Sequence, residues 1–301
     1  MPFTSDYRLF GLTVRSGLPL PELSEVDRVA RPDVDIRVGS RASLERQRGR
    51  SITIDGVVHF DVLEGREITV VPEDGASARN VRLYLLGSAI GLLLHQRRLL
   101  PLHANAVEID GKAYAFLGPS GAGKSTLAMA FHDRGFRVLA DDVCVVRMLD
   151  DGRFIVSPGL PRARLWRDSL EALGRDSNDH AKSYSGDEDW DKYDVGLGSG
   201  AAPVEGIELA GVHLLGVGED FRLSRLGGAS AVEALMANTY RGAFVGETNG
   251  ARYHWQDCTS VAKAVPILQF SRPLNFHRLD EGVAFLLSAV RIDGPSAAVR
   301  A

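Results

Sequence analysis

The chain has 301 residues, of which 45% are hydrophobic and 25% charged, a composition typical of folded globular proteins and too apolar for a disordered chain. It carries 35 Lys and Arg against 39 Asp and Glu, a net charge of −4. No strong basic field therefore exists to hold a nucleic-acid backbone or an anionic membrane surface, so we expect neither partner. Any phosphate-binding site must be local.

Cysteine count and hydropathy exclude further classes of protein. Two cysteines, Cys144 and Cys258, cannot form a disulfide framework or a four-ligand zinc site, and we expect both to be small buried side chains. No apolar run reaches the roughly 18 residues that a membrane span requires. The N-terminus carries Asp6 and lacks the basic and apolar regions of a signal peptide, which predicts a cytoplasmic protein.

The first third of the chain is rich in strand signals. Residues 1 to about 80 alternate short apolar strings with turn residues, which predicts short antiparallel strands. From Arg79 to His95 the apolar spacing approaches 3.6 residues, which predicts a helix. We therefore predict a β-rich N-terminal domain over residues 1–95 and a second domain over residues 96–301.

Strand and helix signals alternate in the rest of the chain. A hairpin that turns at Asp110-Gly111 precedes a helix from Lys124 to Arg134 and a buried strand in FRVLADDVCVV. The polar stretch from Asp150 to Gly200 predicts a mobile surface region with one helix near Trp166 to Leu173. The remaining predicted elements are a strand-like segment over 207–226, a helix over 229–240, and a last strand and helix in AVPILQFSR and LDEGVAFLLSAV.

The most specific motif is GPSGAGKS, residues 118–125, which matches the phosphate-binding pattern G-x-x-x-x-G-K-[ST]. The apolar strand AYAFL runs directly into it and a helical segment leaves it, which is the context that this motif requires. In such a loop the backbone N–H groups turn inward around phosphate oxygens, and the positive end of the helix dipole points to the same place. We expect Lys124 to reach the β- and γ-phosphates of a nucleotide and Ser125 to offer its hydroxyl to Mg²⁺.

Two adjacent acids, Asp141 and Asp142, follow the next apolar strand, where a Walker B carboxylate would lie in the parallel neighbour of the loop's strand. One acid could hold Mg²⁺ and the other could accept a proton from a hydroxyl nucleophile, because successive residues on a strand point to opposite sides. A solvated turn is the alternative. His103 lies just before the preceding strand, where it could orient one of the acids or serve a structural role only.

Three segments, Leu102-His103-Ala104, GPSGAGKST and RGFRVLADDVCVV, resemble the catalytic domain of HPr kinase/phosphorylase and of the HPr-kinase-related proteins. The resemblance is specific over residues 100–150 and extends loosely to PGLPRARLW, DKYDV and NTYRG. It implies an α/β fold with a β-rich N-terminal domain and a C-terminal P-loop kinase domain of the HPr kinase/phosphoenolpyruvate carboxykinase type.

The resemblance also implies a role for each matching residue. Asp141 would be the catalytic base, Asp142 would join Ser125 at the metal, and His103 would assist Asp141, although the two aspartates could exchange roles. The residues that would bind ATP are Gly118, Pro119, Ser120, Gly121, Ala122, Gly123, Lys124, Ser125 and Thr126.

Phosphoryl transfer generally recruits cations beyond the loop lysine. The first candidates are Lys192 in DKYDV and Arg241 in NTYRG, which we assign to the catalytic set with Lys124. Arg162 and Arg164 are the next candidates.

Two departures from the family's pattern bear on the substrate. Thr126 replaces the Glu that usually follows GKS, and no segment resembles the family's long second signature with its LExRGxG core. The front end instead resembles HPr-kinase-related proteins encoded in bacterial peptide-natural-product clusters, which phosphorylate a serine near the C-terminus of a lasso-precursor peptide.

These features together predict an ATP- and Mg²⁺-dependent serine kinase that acts on a peptide or small protein. A kinase of an HPr-like protein or of a small hydroxyl metabolite is an alternative. A nucleotide-dependent switch with little turnover is another, since many P-loop proteins are switches. The family's tendency to oligomerise implies that a homo-oligomer could form.

Overall fold

The structure, a computed structural model, describes residues 4–44, 49–186, 190–198, 205–248 and 250–292. It is a mixed α/β fold with three β-sheets, which confirms the predicted fold class at this level. Both cysteines are buried and free, as predicted. No helix within the described ranges is long and apolar enough to cross a membrane.

The first sheet takes its seven strands from the first 72 residues, in the order β3-β1-β2-β4-β7-β6-β5. Its elements are β1 (Ser5–Leu9), β2 (Leu12–Ser16), β3 (Glu25–Val26), β4 (Val34–Val38), a short helix α1 (Arg41–Leu44), β5 (Arg50–Ile54), β6 (Val58–Leu63) and β7 (Glu67–Pro72). Alternate residues of β6, Val58, Phe60 and Val62, are fully buried, so one face of the sheet forms a core. The prediction of antiparallel strands was wrong for β4, which is parallel to both its neighbours, β2 and β7.

One continuous helical segment packs on this sheet. It runs through α2 (Ala78–Tyr84), a π-helical turn (Leu85–Ala89) and α3 (Ile90–Gln96), which confirms the predicted helix. The core beneath it also includes Val143 and Val145 from the second part of the chain. The domain boundary after residue 95 stays a prediction.

A nine-stranded sheet follows, with the order β11-β9-β10-β17-β13-β12-β8 and with β19 pairing to both β17 and β18. Its strands are β8 (Leu100–Leu102), β9 (Ala104–Ile109), β10 (Lys112–Leu117), β11 (Arg137–Ala140), β12 (Cys144–Met148), β13 (Phe154–Ser157), β17 (Ile207–Val217), β18 (Arg222–Leu226) and β19 (Ile267–Arg272). The hairpin at Asp110-Gly111 is confirmed. The strand before the acid pair was expected to be the parallel neighbour of β10, and this is wrong: β9 lies between β11 and β10, antiparallel to both. The direct parallel neighbour of β10 is β17, which is in turn parallel to β19.

Helices cover both faces of the large sheet. The helices are α4 (Lys124–His132), α5 (Arg167–Ala172), α6 (Gly228–Ala237), α7 (Ala243–Glu247), α8 (Ala251–Ala264) and α9 (Leu279–Ile292). Side chains of α4 and α9 share one buried cluster, and those of α6 and α8 share another. Of these, α7 and α8 were not predicted.

The stretch from residue 150 to 200 is more regular than expected. It holds α5, as predicted, but also four strands: β13 and a three-stranded sheet of β14 (Arg162–Trp166), β15 (Ala181–Lys182) and β16 (Lys192–Gly196). The prediction of a mobile surface region with a single helix therefore missed these four strands, and residues 187–189 and 199–200 lie outside the described residues. Leu165 and Tyr193 of the small sheet pack against Met129 of α4, so this sheet is fixed beside α4.

Candidate active site

The glycine-rich loop, residues 118–123, joins β10 to α4, so both predicted flanking elements are present. Gly121 and Gly123 have φ angles of 81° and 78°, in the left-handed region where an L side chain is strained. A Cβ atom on Gly123 would also lie 2.6 Å from Nη2 of Arg272. The loop therefore turns tightly, and α4 begins immediately after it.

Lys124 is turned toward its own loop. Its Nζ donates hydrogen bonds to the backbone oxygens of Gly118 at 2.7 Å and Pro119 at 3.1 Å. Burial lowers the pKa of this ammonium group. The side chain of Asn105 on β9 donates to the backbone oxygen of Lys124, so the first turn of α4 is held from the sheet side as well.

A cavity of about 320 Å³ lies in front of the loop. Its size is within the range of about 300 to 1,000 Å³ usual for small-molecule sites. The residues that line it are His103, Ser120, Gly121, Gly123, Lys124, Ser125, Thr126, Asp142, Arg164, Leu165, Trp166, Asp168, Ser169, Lys192, Arg272, Leu274, Asn275, Phe276 and Leu279. The fold thus brings together most of the predicted site residues from separate parts of the chain.

Asp141 is buried behind the cavity, with 5% of its surface exposed. Its Oδ2 accepts a hydrogen bond from the backbone N–H of Arg164 at 2.9 Å, whereas the buried Oδ1 has no partner among the described residues. Burial raises the pKa of this carboxyl, an effect that the Arg164 amide and the nearby Ser125 hydroxyl oppose.

This environment fits a magnesium ion. Within the described part of the chain, no cluster of three or more His, Cys, Asp or Glu side chains could hold a metal. Mg²⁺ usually takes only one or two carboxylates and completes its coordination with phosphate oxygens and water. An unpartnered carboxylate oxygen of Asp141 beside the Ser125 hydroxyl supplies that donor set.

Asp142, unlike Asp141, faces the cavity. Nδ1 of His103 lies 3.2 Å from its Oδ1, and the guanidinium of Arg164 pairs with its Oδ2. Burial alone would raise the pKa of Asp142, but the charge of Arg164 and the hydrogen bond from His103 hold this pKa well below its usual range. The predicted contact of His103 with an acid exists, but its partner is Asp142 and not Asp141.

Three cations line the cavity beyond the loop lysine. Arg164 contacts both aspartates. Lys192 lies with its Nζ 5.4 Å from the ring centre of Trp166, and burial together with the charge of Arg164 lowers its pKa. Arg272, the last residue of β19, donates from Nη2 to the backbone oxygen of Ala122 at 2.7 Å. Sequence reasoning missed Arg272, although an arginine at the end of the predicted strand AVPILQFSR was a usable signal.

Other predicted residues do not reach the cavity. Arg241 is exposed, and its guanidinium lies 5.8 Å from the ring centre of Tyr240. Arg162 forms an ion pair of 2.5 Å with Asp194. The loop residues that do not line the cavity are Gly118, Pro119 and Ala122.

No protein-family model and no curated protein matches the chain. Among solved structures, the HPr(Ser) kinase/phosphatase from Coxiella burnetii is similar over 64% of this chain and 96% of that chain, at 15% identity and a TM-score of 0.30.

Proposed function

We propose that this chain is a kinase that transfers the γ-phosphoryl group of ATP to a hydroxyl group with the help of Mg²⁺. The observation that carries the proposal is a single cavity that joins the glycine-rich loop and the start of α4 to the carboxylate of Asp142. Phosphoryl transfer requires positioning, charge stabilisation and a proton acceptor, and little else from the protein. The residues around this cavity supply all three.

The triphosphate of ATP would bind at the loop. Backbone N–H groups at the start of α4 would face the phosphate oxygens, and the helix dipole favours negative charge there. Lys124 would leave the carbonyl oxygens of Gly118 and Pro119 and turn to the β- and γ-phosphates. Arg272, which already contacts Ala122, would flank the same phosphates.

Ser125 and Asp141 are the proposed Mg²⁺ ligands. Bound there, Mg²⁺ would neutralise charge on the β- and γ-phosphates. The unpartnered buried oxygen of Asp141 supports this assignment. This assignment reverses the one that the family resemblance implies, in which Asp141 is the base and Asp142 is the metal ligand.

Asp142 is the proposed base, because a base must first lie within reach of the proton that it accepts. The acceptor oxygen would bond to the γ-phosphorus while the bond from that phosphorus to the bridging oxygen breaks. The hydroxyl proton passes to the Asp142 carboxylate, and ADP leaves. Arg164 can share its charge with the incoming phosphate, which would raise the pKa of Asp142 toward its ordinary value.

The acceptor that we propose is a serine of a peptide, and more specifically a serine near the C-terminus of a lasso-peptide precursor. The sequence resemblance of the front end supports the finer assignment. The rim of the cavity supports the broader assignment of a peptide acceptor, because the exposed ring of Trp166 offers apolar contact beside the cation of Lys192.

The test is transfer of label from γ-labelled ATP to a peptide that ends in serine. We expect wild-type protein with Mg²⁺ to label the peptide. Asp142→Asn removes the proton acceptor and should slow transfer by about 100-fold or more while ATP affinity stays unchanged. Asp141→Asn should instead raise the Mg²⁺ concentration that transfer requires.

A matched control is available in Asp151→Asn. Asp151 lies in an exposed turn and pairs with Arg153 at 2.7 Å, so its loss should leave transfer unchanged. Thermal midpoints of all variants would show that each is folded. A wild-type protein that binds ATP without labelling any peptide contradicts the kinase assignment, and full transfer by Asp142→Asn contradicts the assigned base.

A further inference from the structure

One wall of the cavity is apolar and exposed. It is formed by the segment between β19 and α9, with Leu274 and Phe276 facing the cavity and Leu279 beginning the helix. Leu274 is 60% exposed and Phe276 is 46% exposed. Two large apolar side chains at the mouth of a cavity are typical of a ligand-binding surface.

This wall is adjacent to the glycine-rich loop. Since β10, β17 and β19 are parallel, the segments that follow β10 and β19 leave the sheet at the same edge. Ligands of open α/β sheets bind beyond this carboxyl edge. The hydrogen bond from Arg272 to the backbone oxygen of Ala122 ties the start of the wall directly to the loop.

The wall is also held in place by its own contacts. Oδ1 of Asn275 accepts a hydrogen bond from the backbone N–H of His277 at 2.9 Å, which caps the 3₁₀ turn Phe276–Arg278. Arg278 then pairs with Glu281 at 2.9 Å in the first turn of α9. A surface ordered in this way loses little conformational entropy when a ligand binds.

Charge divides the cavity into two parts. The charged and titratable side chains away from the loop are His103, Asp142, Arg164, Asp168 and Lys192. The four wall residues that line the cavity, Leu274, Asn275, Phe276 and Leu279, carry no charge, and Arg272 borders them on the side of the loop. If the proposed function holds, the γ-phosphoryl group and its acceptor occupy the charged part, which leaves the wall for the opposite end of the nucleotide.

We infer that Leu274 and Phe276 form the subsite for the planar base of the nucleoside triphosphate, an inference that rests on the proposed function. The ring of Phe276 supplies a face on which a base stacks, and Leu274 covers its edge. Stacking on an aromatic ring tolerates any base because every base has a π-face. The subsite therefore adds affinity for nucleosides over bare polyphosphates.

The experiment compares two ligands by calorimetric titration in the presence of Mg²⁺. ATP carries the base, whereas inorganic tripolyphosphate has three phosphates and no nucleoside. We expect Phe276→Ala to weaken ATP binding about tenfold, the size of one base–aromatic stack, and to leave tripolyphosphate affinity unchanged. Phe276→Trp, which keeps an aromatic face, should restore ATP affinity.

Trp255→Ala is the matched control, because Trp255 is an exposed aromatic residue on α8 outside this cavity. It should change neither affinity. If Phe276→Ala weakens both ligands equally, or does not weaken ATP, the base subsite is overturned and the proposed function stands. If the wild-type protein binds neither ligand, the proposed function fails and the inference fails with it.

Discussion

Asp142 combines an unusual backbone with a charged environment. Its φ of 73° lies in the left-handed region, which aspartate and asparagine tolerate better than most residues. This conformation turns the side chain to the cavity while the preceding residue, Asp141, stays buried. Because asparagine adopts the same backbone conformation readily, Asp142→Asn tests the carboxylate and not the turn.

Sequence order explains which site residues could be predicted. The loop, Lys124 and Ser125 form a contiguous pattern, so a phosphate-binding role can be predicted for them without knowledge of the fold. Arg164 was a candidate by residue type only and Arg272 was missed, because they reach the cavity from β14 and β19 and only the long-range pairing of strands places them there. Which of the two aspartates contacts His103 depends on the backbone turn at Asp142. The local sequence pattern does not predict that turn.

A buried histidine predicts how stability depends on pH. His213 on β17 is 2% exposed and stacks on Phe116 at 5.2 Å, and burial lowers its pKa to about 4. The unfolded chain binds this proton near pH 6.5, so the stabilising contribution is complete above that pH and is lost as pH falls toward 4. We expect His213 to cost about 2 kcal/mol of unfolding free energy between pH 7 and pH 5.

Urea unfolding of His213→Phe at both pH values measures this contribution. The variant should lose less stability than the wild type on going to pH 5. His277→Phe replaces an exposed histidine and should follow the wild type. Equal acid sensitivity of His213→Phe and wild type would show that the ring is not kept neutral by the fold.

At the scale of elements, Tyr240 packs closely against the π-helical turn and α3. Gly91 lies on α3, and a Cβ atom there would be 3.1 Å from Cε1 of Tyr240. Alanine normally improves a helix by about 1 kcal/mol over glycine. Overpacking against a buried ring costs about 1 to 3 kcal/mol, so we expect Gly91→Ala to lower the unfolding free energy by about 1 kcal/mol net.

Gly246 on α7 gives the opposite case for the same substitution. Among the described residues, no atom beyond its own helix lies within 4 Å of its added Cβ. Gly246→Ala should therefore raise the unfolding free energy by up to about 1 kcal/mol. Denaturant unfolding measures the change in unfolding free energy, which should be negative for Gly91→Ala and positive for Gly246→Ala. A stabilised Gly91→Ala would mean that Tyr240 has room to move.

Periodicity predicted elements well and their arrangement less well. The helix over 79–95 and the hairpin at Asp110-Gly111 follow from spacing and turn chemistry in the sequence. The π-helical turn does not follow from that spacing. The position of β9 between β10 and β11 likewise depends on long-range strand pairing. The P-loop pattern followed by an acid pair predicts instead that β11 pairs directly with β10.

At the scale of the whole molecule, the two parts of the chain share a core. Val143, Val145 and Tyr240 pack in the same buried cluster as the first sheet. The backbone N–H of Phe10 also donates to the oxygen of Pro158 at 2.9 Å. We therefore expect calorimetry to show a single unfolding transition, with equal calorimetric and van't Hoff enthalpies.

Val145→Ala probes this shared core. Removing its buried side chain should destabilise the protein by about 2 kcal/mol and move the whole transition to lower temperature. Val217→Ala removes a side chain that is 74% exposed and should leave the transition where it is. Two separate heat-absorption peaks, only one of which responds to Val145→Ala, would mean that the parts unfold independently.

The resting position of Lys124 has a consequence for selectivity. Its ammonium group donates hydrogen bonds to two backbone oxygens, so an anion can bind this group only by displacing both of them. A chloride ion would replace two contacts with one, whereas a chain of linked phosphates can engage every donor of the loop at once. If the proposed function holds, we therefore expect the loop to prefer a linked polyphosphate over a small anion such as chloride.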